Sequence, residues 1–426
     1  MGRRKKNFNG NKRKGGGGPP SSASFPAAAP VSSIEAPADR EFVVIDGSLL
    51  EGGGQILRNS FGLSTLLGVP IHVVSIRAGR KTPGLRAQHL VGINLLGGMC
   101  GGELGGNSLK SCEVKYVPPA GGCSQITGGA YVGSIPSAGS ITLLVQASLP
   151  PLLFAASPSS LAMTGGTNAS FAPQIDFTHR VLLPTLARFG VSDIALDVQV
   201  RGFFPKGCGA VQLQVSPVPF LTPITALERG DIVSVDVFAF TAGVIPNHVA
   251  EKMALGAVKK LTWWFHQQAE SGLCPNPDVE YNVETPHIPK SAAYGTGTGI
   301  TLVAHTSTGE RLVGNALGAK GVPAQDIGRQ AADSLIANLR HGGAMGEWLT
   351  DQIIVFMGLA DGVSSIRTGP LSLHTQTAIH FVSLLTGAEF DVQPAGDGGD
   401  AFIITCQGIG FRNPCPDVSG AGPSSS

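Results

Sequence analysis

The sequence predicts a fold of mixed helices and strands, α/β (α+β), built from repeated units. Short apolar runs such as residues 42–45 are followed by a glycine-containing turn and then by an amphipathic segment such as residues 56–67. Apolar residues at helical spacing identify the longer segments as helices packed on sheets. Glycine supplies 59 of the 426 residues and is dispersed among these runs, as expected for tight turns. The recurring strand, glycine turn, helix and strand therefore predict a repeated building block.

The first half of the chain contains these elements in regular order. Pro150 and Pro151 are expected to end or kink one of its helices, because proline lacks a backbone N–H. A turn of small residues, 164–174, separates that helix from the next. The predicted elements are strand 42–45, helix 56–67, strand 71–76, helix 88–96, helix 139–146, helix 177–189, strand 194–200 and strand 210–215.

Residues 220–318 interrupt this pattern and predict a smaller inserted α/β domain. The large domain would then comprise residues 39–219 and 319–416, because helices at 324–339 and 348–357 resume the earlier style. A C-terminal second domain is the alternative. The elements predicted for the insert are strand 232–240, helix 248–269, strand 279–283, strand 299–305 and strand 311–316.

Both chain ends are predicted to be disordered, at residues 1–38 and 417–426. Seven of the 30 Lys and Arg residues precede Glu35, the first acidic residue, so the rest holds 23 basic against 29 acidic residues. The body is therefore not a general nucleic-acid-binding surface, and phosphate recognition there requires a few well-placed arginines. The N-terminal arm has two basic clusters and a Pro/Ala/Ser-rich spacer, which favours nuclear import over an RNA-contacting arm.

Composition excludes several other classes of protein. Charged residues make up 14% of the chain, against roughly 25% in typical soluble domains. The apolar runs are too short to span a bilayer, so a soluble protein without a membrane partner is expected. The seven cysteines include no C-x-x-C pair, which indicates free thiols in a reducing compartment and argues against a zinc site.

Two stretches are candidate phosphate-binding segments. The run EGGGQ at 51–55 precedes a helix with Arg58 in its first turn, and glycines there allow backbone to approach an anion. Arg77, Arg80, Lys81 and Arg86 lie within ten residues, between a buried strand and a helix. A run of charges is usually a solvated face. Guanidinium groups at the root of a packed loop are better suited to bidentate phosphate contacts.

His374 is the candidate nucleophile. Leu371 and Leu373 are predicted to end a short strand, and Thr375 to cap the following helix. At a helix start, unpaired N–H groups and the positive dipole end disfavour a second positive charge, so the imidazole tends to stay neutral and nucleophilic. The same helix end attracts phosphates. A neutral histidine beside a phosphate site is what nucleotidyl transfer through a phosphoramidate requires. For a lone histidine, satisfying backbone groups is the alternative interpretation.

Taken together, these segments resemble the RNA 3'-terminal phosphate cyclase family. The similarity covers residues 40–415, and six motifs in fixed order are far more specific than any one of them. The motifs are EGGGQILR at 51–58, IRAGRKTPGLRAQHL at 76–90, GGTNA at 165–169, RGFFPKG at 201–207, DQ at 351–352 and HTQTA at 374–378.

The resemblance implies a large domain of three βαβαββ-type repeats, similar to enolpyruvyl transferases, with a smaller α/β insert. It implies a ligase that uses ATP and a divalent metal, Mg or Mn, to convert an RNA 3'-phosphate end into a 2',3'-cyclic phosphate. AMP and diphosphate would be released. By motif position, His374 would become adenylylated and then pass the adenylate to the RNA.

The resemblance also implies roles for other residues. Glu51 would be a metal ligand, with a helix-start carboxylate that stabilises the dipole as an equally weighted alternative. Arg58, Arg77 and Arg80 would bind the phosphates of ATP, and Arg77, Arg80 and Arg86 would bind those of the RNA. The adenylate pocket would be lined by Gln146, Pro173, Trp348, Asp351 and Gln352.

Some of these assignments have a competing interpretation. Gln146 and Pro173 suit packing or turn positions equally well, and Trp348 stands where the family carries Tyr. Cys208 and Ala210 interrupt a Gly-Gly-Gly-Glu run, which puts a role of that turn in doubt. The main rival is the cyclase-like ribosome-biogenesis branch, which shares the fold without the chemistry. A non-catalytic RNA-end-binding protein and an enolpyruvyl transferase are weaker rivals, and the intact His374 motif favours the cyclase.

Overall fold

Three repeats of one βαβαββ order form the larger part of the structure, a computed structural model that describes residues 28–271, 277–396 and 399–415. In each repeat the first strand lies parallel to the second, the second antiparallel to the fourth, and the fourth antiparallel to the third. The predicted α/β fold with three repeats is therefore confirmed.

The first repeat carries residues 51–55, here called the glycine run, and residues 77–86, here called the arginine loop. Its elements are β1 (Val43–Asp46), α1 (Gly54–Leu67), β2 (Ile71–Val74), α2 (Ala87–Cys100), β3 (Glu103–Gly105) and β4 (Val114–Val117). Helix α1 is buried on nearly all sides, with Ile56, Phe61 and Leu63 among its core residues. It ends where Gly68 adopts a left-handed conformation with φ of 73°, which glycine accepts without steric cost.

The second repeat follows the same order. Its elements are β5 (Gly129–Ser134), α3 (Ile141–Leu153), β6 (Ser159–Gly165), α4 (Ile175–Phe177), α5 (Leu183–Arg188), β7 (Ile194–Gly202) and β8 (Gly209–Val215). Residues 178–182 continue the helical path between α4 and α5. Helix α3 does not end at its two prolines but continues to Leu153, because Pro150 and Pro151 are buried in the core and remove only their own N–H bonds.

The third repeat begins with β9 (Thr225–Ala226), and the insert follows directly. The insert contains β10 (Ile232–Ala242), α6 (His248–Glu270), β11 (Glu280–Glu284), β12 (His287–Ile288), β13 (Ala293–Tyr294), β14 (Gly297–Thr306), β15 (Arg311–Leu317) and α7 (Ala324–Arg340). Strands β10, β11, β12, β14 and β15 form its sheet, whereas β13 pairs with β7 of the second repeat.

The insert is longer than the predicted range 220–318. Helix α7 was expected to resume the large domain, but Ile327, Leu335 and Leu339 pack in one apolar cluster with α6 and the insert sheet. At the other end, β9 pairs with the second strand of the third repeat and so belongs to the large unit. The insert therefore occupies the connection between β9 and the helix that follows α7.

The third repeat then resumes. Its remaining elements are α8 (Glu347–Leu359), β16 (Val363–Thr368), α9 (Leu373–Thr386), β17 (Glu389–Pro394) and β18 (Phe402–Gln407). Helix α1 packs against both α3 and α9, so helices from all three repeats share one apolar core. This packing places the start of α1 beside the start of α9.

The N-terminal segment is partly ordered, in contrast to the prediction for residues 1–38. Ile34 is buried, and the carbonyl oxygen of Ala29 accepts the N–H of Gly106 at 2.8 Å. The apolar residues of this stretch therefore find a partner in the first sheet. The two basic clusters and the predicted C-terminal tail lie outside the described residues. None of the helices in the described ranges is long and apolar enough to cross a bilayer.

Candidate active site

A cavity of about 990 Å³ lies where the N-terminal ends of α1, α2 and α9 meet. The start of α8, the loop that follows β6, helix α3 and residues 109–110 also line it. Ten of the predicted site residues line this cavity, namely Glu51, Arg58, Arg77, Arg80, Arg86, Gln146, Pro173, Trp348, Asp351 and His374. The structure thus brings the glycine run, the arginine loop and the candidate nucleophile to one place.

His374 is the second residue of α9. Strand β16 ends at Thr368, because Gly369 and Pro370 follow it and proline cannot donate to a strand ladder. The helix cap is Ser372, whose Oγ accepts the N–H of Thr375 at 3.1 Å. The predicted strand end at Leu373 and the predicted Thr375 cap are therefore wrong, although His374 does lie at a helix start.

A hydrogen bond fixes the imidazole of His374. Its Nδ1 lies 2.7 Å from Oε1 of Gln55, an atom that accepts only, so Nδ1 carries the proton. In the neutral ring, Nε2 then holds the free lone pair. Gln55 is buried at the start of α1, where its backbone N–H donates to Oε1 of Glu51 at 3.1 Å. Gln55 was part of a recognised motif, but its contact with His374 was not predicted.

Replacing Gln55 tests this orienting role. If His374 is the adenylylated nucleophile that the family resemblance implies, we expect Gln55→Ala to slow this step by roughly ten- to a hundredfold, because the ring would no longer be held in one tautomer and orientation. The affinity for ATP should change little. The measurement is single-turnover transfer of label from α-labelled ATP to the protein. Gln267→Ala on the surface of α6 is the matched control, and an unchanged rate in Gln55→Ala would contradict the assignment.

The carboxylate of Glu51 closes the start of α1. Oε1 accepts the Gln55 N–H, and Oε2 accepts Nη2 of Arg80 at 2.6 Å. The backbone N–H of Glu51 donates to Oγ1 of Thr377 at 3.2 Å, which ties the start of α1 to α9. Glu51 therefore accepts a backbone N–H at the start of α1, as the helix-start interpretation expects. Each of its carboxylate oxygens keeps a lone pair for a further contact.

The site fits a divalent metal only in a limited way. No three His, Cys, Asp or Glu side chains converge as ligands anywhere in the described ranges. Magnesium commonly binds one or two carboxylates together with substrate phosphates and water. Glu51, which lines the cavity, fits the role of such a single protein ligand.

The arginine loop is held in shape by backbone carbonyls. Arg77 Nη1 donates to the carbonyl oxygens of Thr82 at 2.7 Å and Gly84 at 2.9 Å. Arg80 Nε donates to the carbonyl oxygen of Gly52 at 3.2 Å. These guanidinium groups are therefore fixed relative to the cavity, as a phosphate-binding site requires.

Arg58 differs from these arginines because one of its nitrogens, Nε, is buried without a hydrogen-bond partner among the described residues. Burial lowers the pKa of Arg58, while Glu51 and Asp351 act in the opposite direction. An unpaired buried donor is costly, and an anion bound in the cavity would satisfy it.

His89 also lines the cavity and was not predicted as a site residue. Its Nδ1 accepts the backbone N–H of Arg86 at 3.2 Å, so the ring proton is on Nε2. Burial lowers the pKa of His89 to about 3, and Arg58 and the loop arginines act in the same direction. The sequence signal for this contact was the spacing, because His89 lies three residues after Arg86 at the start of α2, where a side chain reaches back to the backbone of the cap. His89 is therefore a neutral N–H donor near Gly54, where an added Cβ would lie 2.6 Å from Nε2.

The opposite wall offers apolar surfaces. Trp348 lies in the first turn of α8 with an exposed fraction of 36%, and its ring centroid is 6.2 Å from that of Phe177 in an edge-on arrangement. Pro173 lies on the loop after β6, where its carbonyl oxygen accepts the hydroxyl of Thr142 at 3.0 Å. Flat apolar surfaces of this kind suit a planar base.

The two polar residues Asp351 and Gln352 have different positions. Burial raises the pKa of Asp351 to about 8, and nearby Glu347 and Glu51 add to the rise while Arg58 opposes it. This shift favours the protonated carboxyl of Asp351, which is able to donate a hydrogen bond. Gln352 is the one predicted site residue outside the cavity, because its buried Nε2 donates to the carbonyl oxygen of Trp348 at 2.6 Å.

The repeats and the site define a three-repeat α/β protein with a cation-lined cavity beside a histidine at a helix start. A sequence profile described as RNA 3'-terminal phosphate cyclase matches residues 49–392. The chain belongs to this family, as predicted. A relative from Dictyostelium discoideum named "Probable RNA 3'-terminal phosphate cyclase" is 40% identical over 86% of this chain and 83% of the relative.

Two further relatives are named "RNA 3'-terminal phosphate cyclase". The protein from Drosophila melanogaster is 39% identical over 87% of this chain and 97% of its own length. The protein from Pyrobaculum neutrophilum is 35% identical over 87% of this chain and 99% of its own length. The similarity therefore extends over nearly the whole of these two relatives.

Proposed function

We propose that this chain is an ATP-dependent ligase that converts the 3'-phosphate end of an RNA into a 2',3'-cyclic phosphate. The observation that carries the proposal is the 2.7 Å bond between His374 and Gln55 at the edge of an arginine-lined cavity. This hydrogen bond uses Nδ1, so that in the neutral ring Nε2 keeps a lone pair in a cavity lined by arginines suited to phosphate binding. The names of the relatives supply the substrate class.

The first step is adenylylation of His374. Nε2 attacks the α-phosphorus of ATP, a P–N bond forms, and the P–O bond to the departing diphosphate breaks. The Nδ1 proton stays hydrogen-bonded to Gln55 Oε1, which stabilises the positive charge that the ring acquires. Arg58, Arg77 and Arg80 stabilise the charge on the phosphates, and a divalent ion on Glu51 would add to this neutralisation.

The next two steps take place on the RNA. An oxygen of the 3'-phosphate attacks the histidine-bound phosphorus, so the P–N bond breaks and the adenylate moves to the RNA. The neighbouring 2'-hydroxyl then gives its proton to solvent and attacks the 3'-phosphorus, and AMP leaves with the electrons of the broken P–O bond as the ring closes. Arg86, with the other loop arginines, suits the RNA phosphate because it is exposed at the cavity.

The adenine has a matching surface on the other wall. Trp348 and Pro173 offer apolar contact, while protonated Asp351 and Gln146 offer polar groups for a base or ribose. In this arrangement the phosphates face the arginines and the base lies against α8. Gln352 supports the wall through its bond to Trp348.

The test is a cyclisation assay with an RNA oligonucleotide that ends in a labelled 3'-phosphate. We expect ATP-dependent conversion to a product in which the label resists phosphatase, together with formation of AMP. A 3'-hydroxyl oligonucleotide is the matched control and should not react. If the 3'-phosphate end remained sensitive to phosphatase at saturating ATP and metal, the proposed function would be wrong.

A further inference from the structure

A fully exposed aromatic side chain lies on the wall of the active-site cavity. Phe171 has an exposed fraction of 105%, and it lines the cavity together with Ala172 and Pro173. The loop that carries it has a firm base, since Asn168 Nδ2 donates to Oε1 of Gln174 at 2.9 Å and both side chains are buried. Phe171 therefore projects into solvent from an anchored loop.

The backbone of Phe171 is unusual as well. Its φ is 61°, a left-handed conformation that a bulky residue adopts only at a cost in free energy. Six non-glycine residues in the described part of the chain have positive φ, and three of them, Arg77, Lys110 and Phe171, line this same cavity. Strain concentrated in this way is typical of a binding site.

The chemistry around Phe171 identifies what would cover it. Lys110 is exposed, and Arg86 is an exposed cation on the same cavity. Proteins commonly bind single-stranded nucleic acid with an exposed aromatic ring surrounded by cations. The bases stack on the ring, and the cations contact the phosphates. The phenyl ring has no hydrogen-bonding group, so it accepts any base.

We propose that Phe171 is a stacking platform for a base of the RNA strand close to its 3'-phosphate end, with Lys110 as a contact for a neighbouring phosphate. The inference rests on the proposed function, which supplies the RNA. The adenine of ATP is the less suitable occupant, because the partly buried Trp348 already offers a wall for it. The platform predicts tight binding without base preference.

Two measurements on Phe171→Ala and Phe171→Trp test the platform. The first is anisotropy of a fluorescent single-stranded RNA with a 3'-phosphate end, and the second is labelling of His374 by α-labelled ATP without RNA. We expect Phe171→Ala to weaken RNA binding about tenfold or more, and Phe171→Trp to restore it. Labelling of His374 should be unchanged in both variants.

The matched control is Trp263→Ala, which removes an aromatic side chain with 62% exposure from α6, away from the cavity. Unchanged RNA affinity in Phe171→Ala would overturn the proposal. Loss of His374 labelling in that variant would also overturn it, because Phe171 would then serve ATP. The proposed function fails on a different result, the absence of labelling and cyclisation in the unaltered protein, while RNA binding still reports on the platform.

Discussion

His374→Ala is expected to abolish covalent labelling of the protein by α-labelled ATP and to reduce RNA cyclisation by roughly a thousandfold or more. In the proposed mechanism the imidazole bonds to phosphorus, so its removal leaves no route to the covalent intermediate. Binding of ATP should persist, because the arginines and the wall formed by Trp348 remain. The readouts are gel autoradiography after acid quenching and the rate of cyclisation.

The control for this variant lies on the same helix. His380 is exposed on α9 and does not line the cavity, so His380→Ala should retain labelling and cyclisation. A second check uses RNA that already carries the adenylate at its 3'-phosphate. His374→Ala should still close the ring of this substrate, since in the proposed mechanism the histidine acts only before that step. Persistent labelling of His374→Ala would show that another residue is the nucleophile.

The position of His374 shows how far sequence reasoning reaches. The motif was sufficient to predict a histidine at a helix start, because the apolar residues after it recur at helical spacing. The true cap, Ser372, was missed since both Ser372 and Thr375 are good N-cap residues. Only the folded structure decides between them, because the hydroxyl of Ser372 is the one that accepts a backbone N–H.

The insert boundary was missed for a related reason. Helix α7 has a clear apolar face, which could be buried equally well against the insert sheet or against a sheet of the large domain. The sequence therefore predicts the helix well but not its partner. The structure buries Ile327 and Leu335 against the insert. The short strand β9 carries too few residues for a period-2 pattern, so the start of the third repeat was also not visible.

Within the site, residue types were predictable and pairings were not. The loop arginines were identified because cations between a buried strand and a helix are unusual. The contact between Gln55 and His374 joins residues 319 positions apart, and it depends on the packing of α1 against α9. The lack of a partner for Nε of Arg58 among the described residues likewise arises only from tertiary packing.

Arg58→Ala should lower the rate of His374 adenylylation by about a hundredfold or more. The side chain of Arg58 is half-buried beside the cavity with its Nε fully buried, and there a charge interacts more strongly with phosphate than it would in water. The folded protein should not lose stability, because the substitution removes a buried donor that has no partner among the described residues. We therefore expect the melting temperature without ATP to stay the same or rise, while the rate at saturating ATP falls.

This opposite response separates a phosphate-binding role from a structural one. A structural arginine would lower both the melting temperature and the rate when it is removed. Arg329→Ala is the control, since Arg329 is exposed on α7 and pairs with Asp326 in the adjacent turn. The variant Arg58→Ala should also raise the pKa of His89, because Arg58 is one of the charges that depress it. An unaltered adenylylation rate in Arg58→Ala would show that Arg58 has no role in phosphate binding. A large fall in melting temperature would show that the Arg58 side chain stabilises the folded state.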